Sequence, residues 1–125
     1  RIACPKKYSP NKKILSWAKK NKANLIVTTK PEEAVKNSEC VMTDKWVSMN
    51  DKVNKKAKKK ILKPFQVNKK LMSRANSDAI FMHCLPVGRG EEVTDEVIDG
   101  KQSVVWRQAL NRVHAQKSII KWCLD

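Results

Sequence analysis

The stretch around residues 79–90 constrains the fold more than any other part of the sequence. An apolar run at 79–82 ends abruptly in His83, Cys84, Leu85 and Pro86, and two glycines follow. Because proline cannot donate to a β-ladder, the pattern predicts a buried strand that ends here. In an open parallel sheet, ligands bind just beyond the carboxyl ends of strands, which makes these residues candidates for a site. Taken singly, His83 and Cys84 would more often be core residues.

Similar strand-like segments alternate with amphipathic segments along the whole chain. The predicted strands lie at 1–4, 24–28, 40–44, 78–82 and 103–106, and the predicted helices at 11–21, 31–38, 51–63, 68–75, 90–98 and 107–122. This alternation predicts an α/β fold: a doubly wound, mostly parallel sheet with helices on both faces. All 125 residues are expected to form one domain.

Polar side chains at several strand ends are expected to gather in one cleft. Asp44 ends the third predicted strand, Ser48 follows it, His83 and Cys84 end the fourth, and Arg112 lies in the last helix. A carboxylate suits an ammonium group and a guanidinium suits a phosphate or carboxylate, so the set favours an amino-acid-like substrate meeting an anionic one. Adjacent residues of a strand point to opposite faces, which makes His83 a poor general base for Cys84.

The charge of the chain leaves a second class of function open. With 27 basic and 12 acidic residues the formal charge is +15, which is typical of proteins that bind nucleic acid or acidic partners. Only five of the basic residues are arginines, whose planar fork suits base and phosphate recognition, and the lysines are dispersed. The composition therefore disfavours nucleic acid, while the basic segment at 51–63 keeps that alternative in view.

Cysteine spacing argues against a metal site and against disulfides. Cys4, Cys40, Cys84 and Cys123 form no Cys-x-x-Cys pair and have no histidine at a metal-ligand spacing. We expect reduced thiols, no metal, no cofactor and a cytoplasmic location, with the mitochondrial matrix as the alternative. No apolar stretch approaches the roughly 20 residues that span a bilayer, so no membrane association is expected.

Five segments together resemble a known family. They are Asp-Lys-Trp-Val-Ser-Met at 44–49, Phe-Gln-Val-Asn at 65–68, Met-His-Cys-Leu-Pro at 82–86, Arg-Gly-Glu-Glu-Val at 89–93 and Gln-Ala-Leu-Asn-Arg at 108–112. In order and spacing they closely resemble the second, Rossmann-like domain of ornithine carbamoyltransferases. The resemblance implies transfer of the carbamoyl group of carbamoyl phosphate to the side-chain amine of L-ornithine, giving L-citrulline and phosphate. Putrescine is the alternative amine.

The resemblance also implies residue roles on the ornithine side. Asp44 would hold the α-ammonium group of ornithine, and Ser48 and Met49 would complete the pocket on a closing loop. Asn50 stands where the family usually has glycine.

On the other side of the site, the resemblance implies binding of carbamoyl phosphate by Cys84, the Leu85 backbone and Arg112. Cys84 would lie beside the reacting amine, with orientation of the amine as its first role and proton transfer as its second. Arg112 would stabilise the charge that grows in the transition state. Val87-Gly88 and Leu110 differ from the residues that are usual in the family.

Parts of the family architecture are missing from the 125 residues. These are the carbamoyl-phosphate domain and the first strand-helix unit of the second domain, whose strand is expected in the middle of the sheet. The resemblance implies homotrimers, or multiples of trimers, for a full-length protein. This part alone is expected to be inactive.

Overall fold

The computed structural model describes residues 1–47 and 54–125. Four short strands are present: β1 (Ile2–Ala3), β2 (Val27–Thr28), β3 (Cys40–Thr43) and β4 (Ile80–His83). The helices are α1 (Lys12–Lys20), α2 (Pro31–Val35), α3 (Lys55–Leu62), α4 (Lys69–Met72), α5 (Asp95–Ile98) and α6 (Val105–Leu124). Two 3₁₀ turns, Lys6–Tyr8 and Lys63–Phe65, complete the regular structure of these residues.

The strands form two parallel pairs. β1 pairs with β2, and β3 pairs with β4 in a register that places Thr43 opposite His83. The predicted α/β class with parallel strands is confirmed. In the described residues the strands form two separate pairs instead of one continuous sheet.

Each pair presents an open edge to a common cavity. The N–H groups of Ile2 and Cys4 donate to carbonyls of the β2 segment at 2.8 and 3.1 Å, so Ala3, which lies between them, directs its backbone polar groups to the other side. The β3–β4 register likewise directs the N–H groups of Cys40 and Met42 away from β4. A cavity of about 240 Å³ lies between the pairs and is lined by residues of both edges.

The hydrophobic core covers one face of the β3–β4 pair. Val41 and Phe81 lie side by side on that face and pack against a cluster formed by Val35, Val67, Met72, Val93, Val97, Ile98 and Val105. On the opposite face, Met42 and Ile80 remain 61% and 37% exposed. The described helices therefore cover one face of this pair. The carboxyl ends of β3 and β4 are supported by the core on that face only.

Asparagine caps begin three of the helices. The side chains of Asn11, Asn54 and Asn68 accept backbone N–H groups of the first turns of α1, α3 and α4, as is typical of this residue at N-caps. The sequence predicts such a cap at Asn68, and the structure confirms it. The sequence also favours Thr29 as the cap of α2. This expectation is wrong, because α2 begins after Lys30, whose N–H donates to the hydroxyl of Thr28.

Two predicted elements differ from the structure. The helix predicted at 90–98 begins only at Asp95, since Gly90, with φ +74°, turns the chain back and a single bridge joins Arg89 to Val93. The strand predicted at 103–106 is reduced to one bridge between Phe81 and Ser103. The chain enters α6 two residues later, which ends any strand there.

Helix α6 leaves the core soon after it begins. Val105 is fully buried, whereas Trp106, Leu110 and Trp122 are 55%, 61% and 79% exposed. Neither this 20-residue helix nor any other helix in the described part of the chain is apolar enough to cross a membrane.

Candidate active site

The carboxyl ends of β3 and β4 bring Asp44 and Cys84 together. Since Thr43 lies opposite His83 in the ladder, the residues that follow them are also neighbours. The Cys84 thiol donates a hydrogen bond to Asp44 Oδ1 at 3.0 Å, and both side chains are exposed. The interpretation of Cys84 as a buried core residue is therefore wrong. The expectation that strand ends bring these two groups into one site is confirmed.

This contact determines the ionisation of both groups. The thiol of Cys84 and the N–H of Lys45, at 2.6 Å from Asp44 Oδ1, lower the pKa of the Asp44 carboxyl. The same carboxylate raises the pKa of the Cys84 thiol, because a thiolate beside it would be repelled. At neutral pH the pair is thus a carboxylate and a neutral thiol. Cys84 is a hydrogen-bond donor here, which supports the orienting role more than the proton-transfer role.

His83 faces away from this pair. Only 1% of the residue is exposed, its Nδ1 accepts the N–H of Leu85 at 2.9 Å, and its Nε2 lies 3.3 Å from Oε1 of the buried Glu92. The expectation of an imidazole in the cleft is wrong. The argument that neighbouring strand residues point to opposite faces is confirmed, and it explains why His83 cannot activate Cys84.

Leu85 adjoins both the exposed pair and the buried histidine, because it follows Cys84 and its N–H donates to His83. It has φ +54°, in a region where glycine is favoured, and its side chain packs against the core. Because its N–H donates to His83, its carbonyl is the backbone group that it can offer to a ligand.

Arg112 lies on α6, outside contact with the pair. Its guanidinium is exposed and makes no hydrogen bond or ion pair with any residue of 1–47 or 54–125. One turn earlier, Gln108 Oε1 accepts the N–H of His83 at 3.1 Å and fixes the helix to the end of β4. Residues four apart lie on the same face of a helix, so Arg112 shares the helix face on which Gln108 contacts the end of β4. The structure does not bring it to Asp44 or Cys84.

The sequence of the chain matches a known protein family over almost its whole length. The sequence pattern of the Asp/Orn binding domain of aspartate/ornithine carbamoyltransferases matches residues 1–123. The chain belongs to this family. An ornithine carbamoyltransferase from Rhodopseudomonas palustris is 58% identical over 123 residues, which are 98% of this chain and 39% of the relative.

Solved structures of carbamoyltransferases agree in fold as well as in sequence. The ornithine carbamoyltransferase from Pyrococcus furiosus is 45% identical with a TM-score of 0.84, over 95% of this chain and 39% of that one. The anabolic enzyme from Campylobacter jejuni is 36% identical with a TM-score of 0.88, over 97% and 41% of the two chains. This carbamoyltransferase domain thus spans about two fifths of the length of these relatives.

Several contacts that sequence reasoning missed brace the loop after β4 of this carbamoyltransferase domain. The side-chain amide of Gln66 donates to the carbonyls of Gly90 and Glu91 at 2.8 and 2.6 Å. The guanidinium of Arg89 pairs with Asp95 and Asp99 at 2.6 Å. Gln66 and Arg89 belong to segments that resemble the family, and this resemblance was the feature of the sequence that could have indicated their importance. No local pattern indicated which partners they would have.

The remaining predicted residues of the carbamoyltransferase pocket are Ser48 and Met49. They lie outside the described residues, as does Asn50, so their roles stay predictions. In the described ranges, no three His, Cys, Asp or Glu side chains are grouped so that they could hold a metal ion.

Proposed function

We propose that this chain is the ornithine-binding domain of an enzyme that transfers the carbamoyl group of carbamoyl phosphate to the side-chain amine of L-ornithine. The products are L-citrulline and phosphate. The observation that carries the proposal is the hydrogen bond of 3.0 Å between Cys84 and Asp44 across two strand ends. It lies in a domain that the family pattern matches over residues 1–123.

The Asp44 carboxylate is suited to the α-ammonium group of ornithine. Its lowered pKa keeps it ionised over the physiological range, and a carboxylate binds an ammonium group by charge-assisted hydrogen bonds. We propose that Ser48 and Met49 complete the pocket around the rest of the amino acid.

The reacting amine is proposed to lie beside Cys84. Only a neutral amine can attack the carbonyl carbon of carbamoyl phosphate. The C–N bond forms, the C–O bond to phosphate breaks, and the departing phosphate takes the proton that the nitrogen loses. A neutral thiol orients the amine without adding a second negative charge to the site. The Leu85 carbonyl can accept the carbamoyl N–H, and Arg112 can stabilise charge on the carbonyl and phosphate oxygens. For this last role, Arg112 must meet carbamoyl phosphate at the end of β4.

The partners proposed for the domain follow from its open cavity and from the length of its relatives. Ala3, Cys40 and Met42 direct backbone polar groups into the space between the two strand pairs, so we propose that a strand of the full-length protein fills it. The carbamoyl-phosphate domain is the second proposed partner, and assembly into trimers the third. We further propose a role in arginine biosynthesis and a cytoplasmic location, with the mitochondrial matrix as the alternative.

The test measures citrulline formed by the full-length protein from ornithine and carbamoyl phosphate. Asp44→Asn removes the charge that binds the α-ammonium group. A hydrogen bond to a charged group contributes about 1.5–3 kcal/mol, so we expect the KM for ornithine to rise roughly 10- to 100-fold. The matched control is Asp78→Asn at an exposed aspartate just before the amino end of β4, opposite to the end that holds Cys84, and it should leave the KM unchanged.

Two results would overturn the proposal. One is a wild-type protein that forms no citrulline, and the other is an Asp44→Asn variant with an unchanged KM for ornithine. Turnover of putrescine that is indifferent to Asp44→Asn would assign the enzyme to the alternative amine, because putrescine has no α-ammonium group beside a carboxylate.

A further inference from the structure

Glu92 and His83 form a fully buried polar pair that the proposed reaction does not use. They are 0% and 1% exposed, and among the described residues Glu92 Oε2 has no hydrogen-bond partner. Burial of a carboxylate costs several kcal/mol unless its charge is compensated. An apolar pair of similar volume would pack at a lower cost, which points to a role for this pair other than stability.

The hydrogen bonds fix the tautomer of His83. Its Nδ1 accepts the N–H of Leu85 at 2.9 Å, so this nitrogen carries no proton. The proton of the neutral ring therefore lies on Nε2, which donates to Glu92 Oε1 at 3.3 Å. A relay runs from the carboxylate through the imidazole to the peptide N–H of Leu85.

Among the described residues, the carboxylate of Glu92 has one further hydrogen bond, in the same turn. Glu92 Oε1 also accepts the N–H of Gly88 in a short hydrogen bond, so one carboxylate holds both ends of the segment from Leu85 to Gly88. A Cβ atom at position 88 would lie 2.7 Å from Glu92 Oε2. With glycine at position 88, the Glu92 carboxylate fits in this place without such a contact.

We propose that Glu92 and His83 are positioning residues for carbamoyl phosphate. Glu92 selects the Nε2–H tautomer of His83, and His83 then accepts the N–H of Leu85. This hydrogen bond fixes the peptide between Cys84 and Leu85, and thereby orients the Leu85 carbonyl in the next peptide unit toward the substrate, beside the thiol of Cys84. The inference rests on the proposed function, because it requires carbamoyl phosphate at the Leu85 backbone. It adds two residues that act on the substrate only through Leu85.

Two substitutions of His83 separate the halves of the relay. His83→Asn keeps an acceptor at the position of Nδ1 but cannot reach Glu92, whereas His83→Gln keeps a donor near Glu92 but loses the acceptor for Leu85. In the full-length protein we expect His83→Gln to lower kcat/KM for carbamoyl phosphate by about 100-fold, since small misplacements near the reacting atoms have effects of this size. His83→Asn should lose less than about 10-fold. Both should leave the KM for ornithine, which depends on Asp44, within about threefold.

A double-substitution cycle tests the role of Glu92. Glu92→Gln permits the other tautomer of His83 and should lower kcat/KM for carbamoyl phosphate by about 10-fold. In the His83→Asn background the tautomer no longer matters, so Glu92→Gln should then have almost no further effect. The matched control, Glu91→Gln, changes a neighbouring carboxylate that pairs with Lys59 outside the relay, and it should leave kcat/KM unchanged.

The outcomes separate this inference from the proposed function. Absence of citrulline with the wild-type protein refutes the proposed function. Citrulline formation with equal losses for His83→Asn and His83→Gln, or with additive losses in the cycle, overturns the relay alone. If His83→Gln fails to fold, the nitrogen chemical shifts of His83 in the wild-type and Glu92→Gln proteins decide the point. An Nε2–H tautomer that is unchanged by Glu92→Gln would overturn the relay.

Discussion

The backbone of Leu85 provides a test in which the sign of the effect is informative. At φ +54°, an L-amino acid is disfavoured by roughly 1–2 kcal/mol, while glycine is not. Leu85→Ala and Leu85→Gly both remove the leucine side chain, so the difference between them isolates the backbone. Glycine also lowers stability by about 0.4–1 kcal/mol through the entropy of the unfolded chain. We therefore expect the Gly variant to be more stable than the Ala variant by about 0.8 kcal/mol.

A helix position provides the matched control. Ala34 lies within α2 and is half-buried. There Ala34→Gly should lower the free energy of unfolding by about 1 kcal/mol, the usual cost of glycine inside a helix. Replacement of alanine by glycine should thus stabilise the protein at position 85 and destabilise it at position 34.

Urea unfolding followed by tryptophan fluorescence measures both differences. Trp46 is only 7% exposed and should report the transition, whereas the other three tryptophans, Trp17, Trp106 and Trp122, are already exposed. The comparison requires that the free energy of unfolding depend on urea concentration with the same slope in all variants. At position 85, the Ala variant could prove more stable than the Gly variant by the amount found at position 34. That result would refute both the positive φ of Leu85 and its role in presenting a carbonyl.

Three further predictions address the site and the fold. Asp44→Asn should speed alkylation of Cys84 by iodoacetamide at pH 8, because the carboxylate that raises the pKa of the thiol is gone; mass spectrometry measures the rate, and an equal or slower rate contradicts the assignment. Phe81→Ala should lower the free energy of unfolding by about 3–5 kcal/mol, since Phe81 is fully buried, and a loss below about 1 kcal/mol in urea unfolding would contradict its central place. The amides of Ala3 and Met42 should exchange hydrogen quickly in the 125-residue chain, and strong protection measured by NMR would mean that these edges are paired.

Much of the site could be predicted from local sequence because its geometry follows from strand ends. The residues that follow β3 and β4 are Asp44 and Cys84, so these two side chains had to meet if the two strands were neighbours in register. The opposite orientation of His83 follows from the same alternation of side chains. The asparagine cap at Asn68 is an equally local signal.

The parts that were predicted wrongly depend on partners distant in sequence. Glu92 has the spacing of an acidic residue in the first turn of a helix, yet it lies buried against His83, nine residues away. The start of α5 moves to Asp95, where Asp95 and Glu96 occupy the first turn instead. The segment predicted as the fifth strand has the composition of a strand. It forms a single bridge with β4 at Ser103, and helix α6 begins two residues later.

The open edges of β1 and β3 have a consequence for how the domain unfolds. In the described residues no ladder joins the two strand pairs, and helix α2 contacts both the β1–β2 pair and α4. No strand-to-strand hydrogen bonds therefore couple the two halves in the described residues, and the coupling that remains runs through α2 and the segment after it. A strand between them would bond to both edges at once and make the halves a single cooperative unit. Without it, each edge is a template for pairing with another copy of the chain, and self-association would compete with folding.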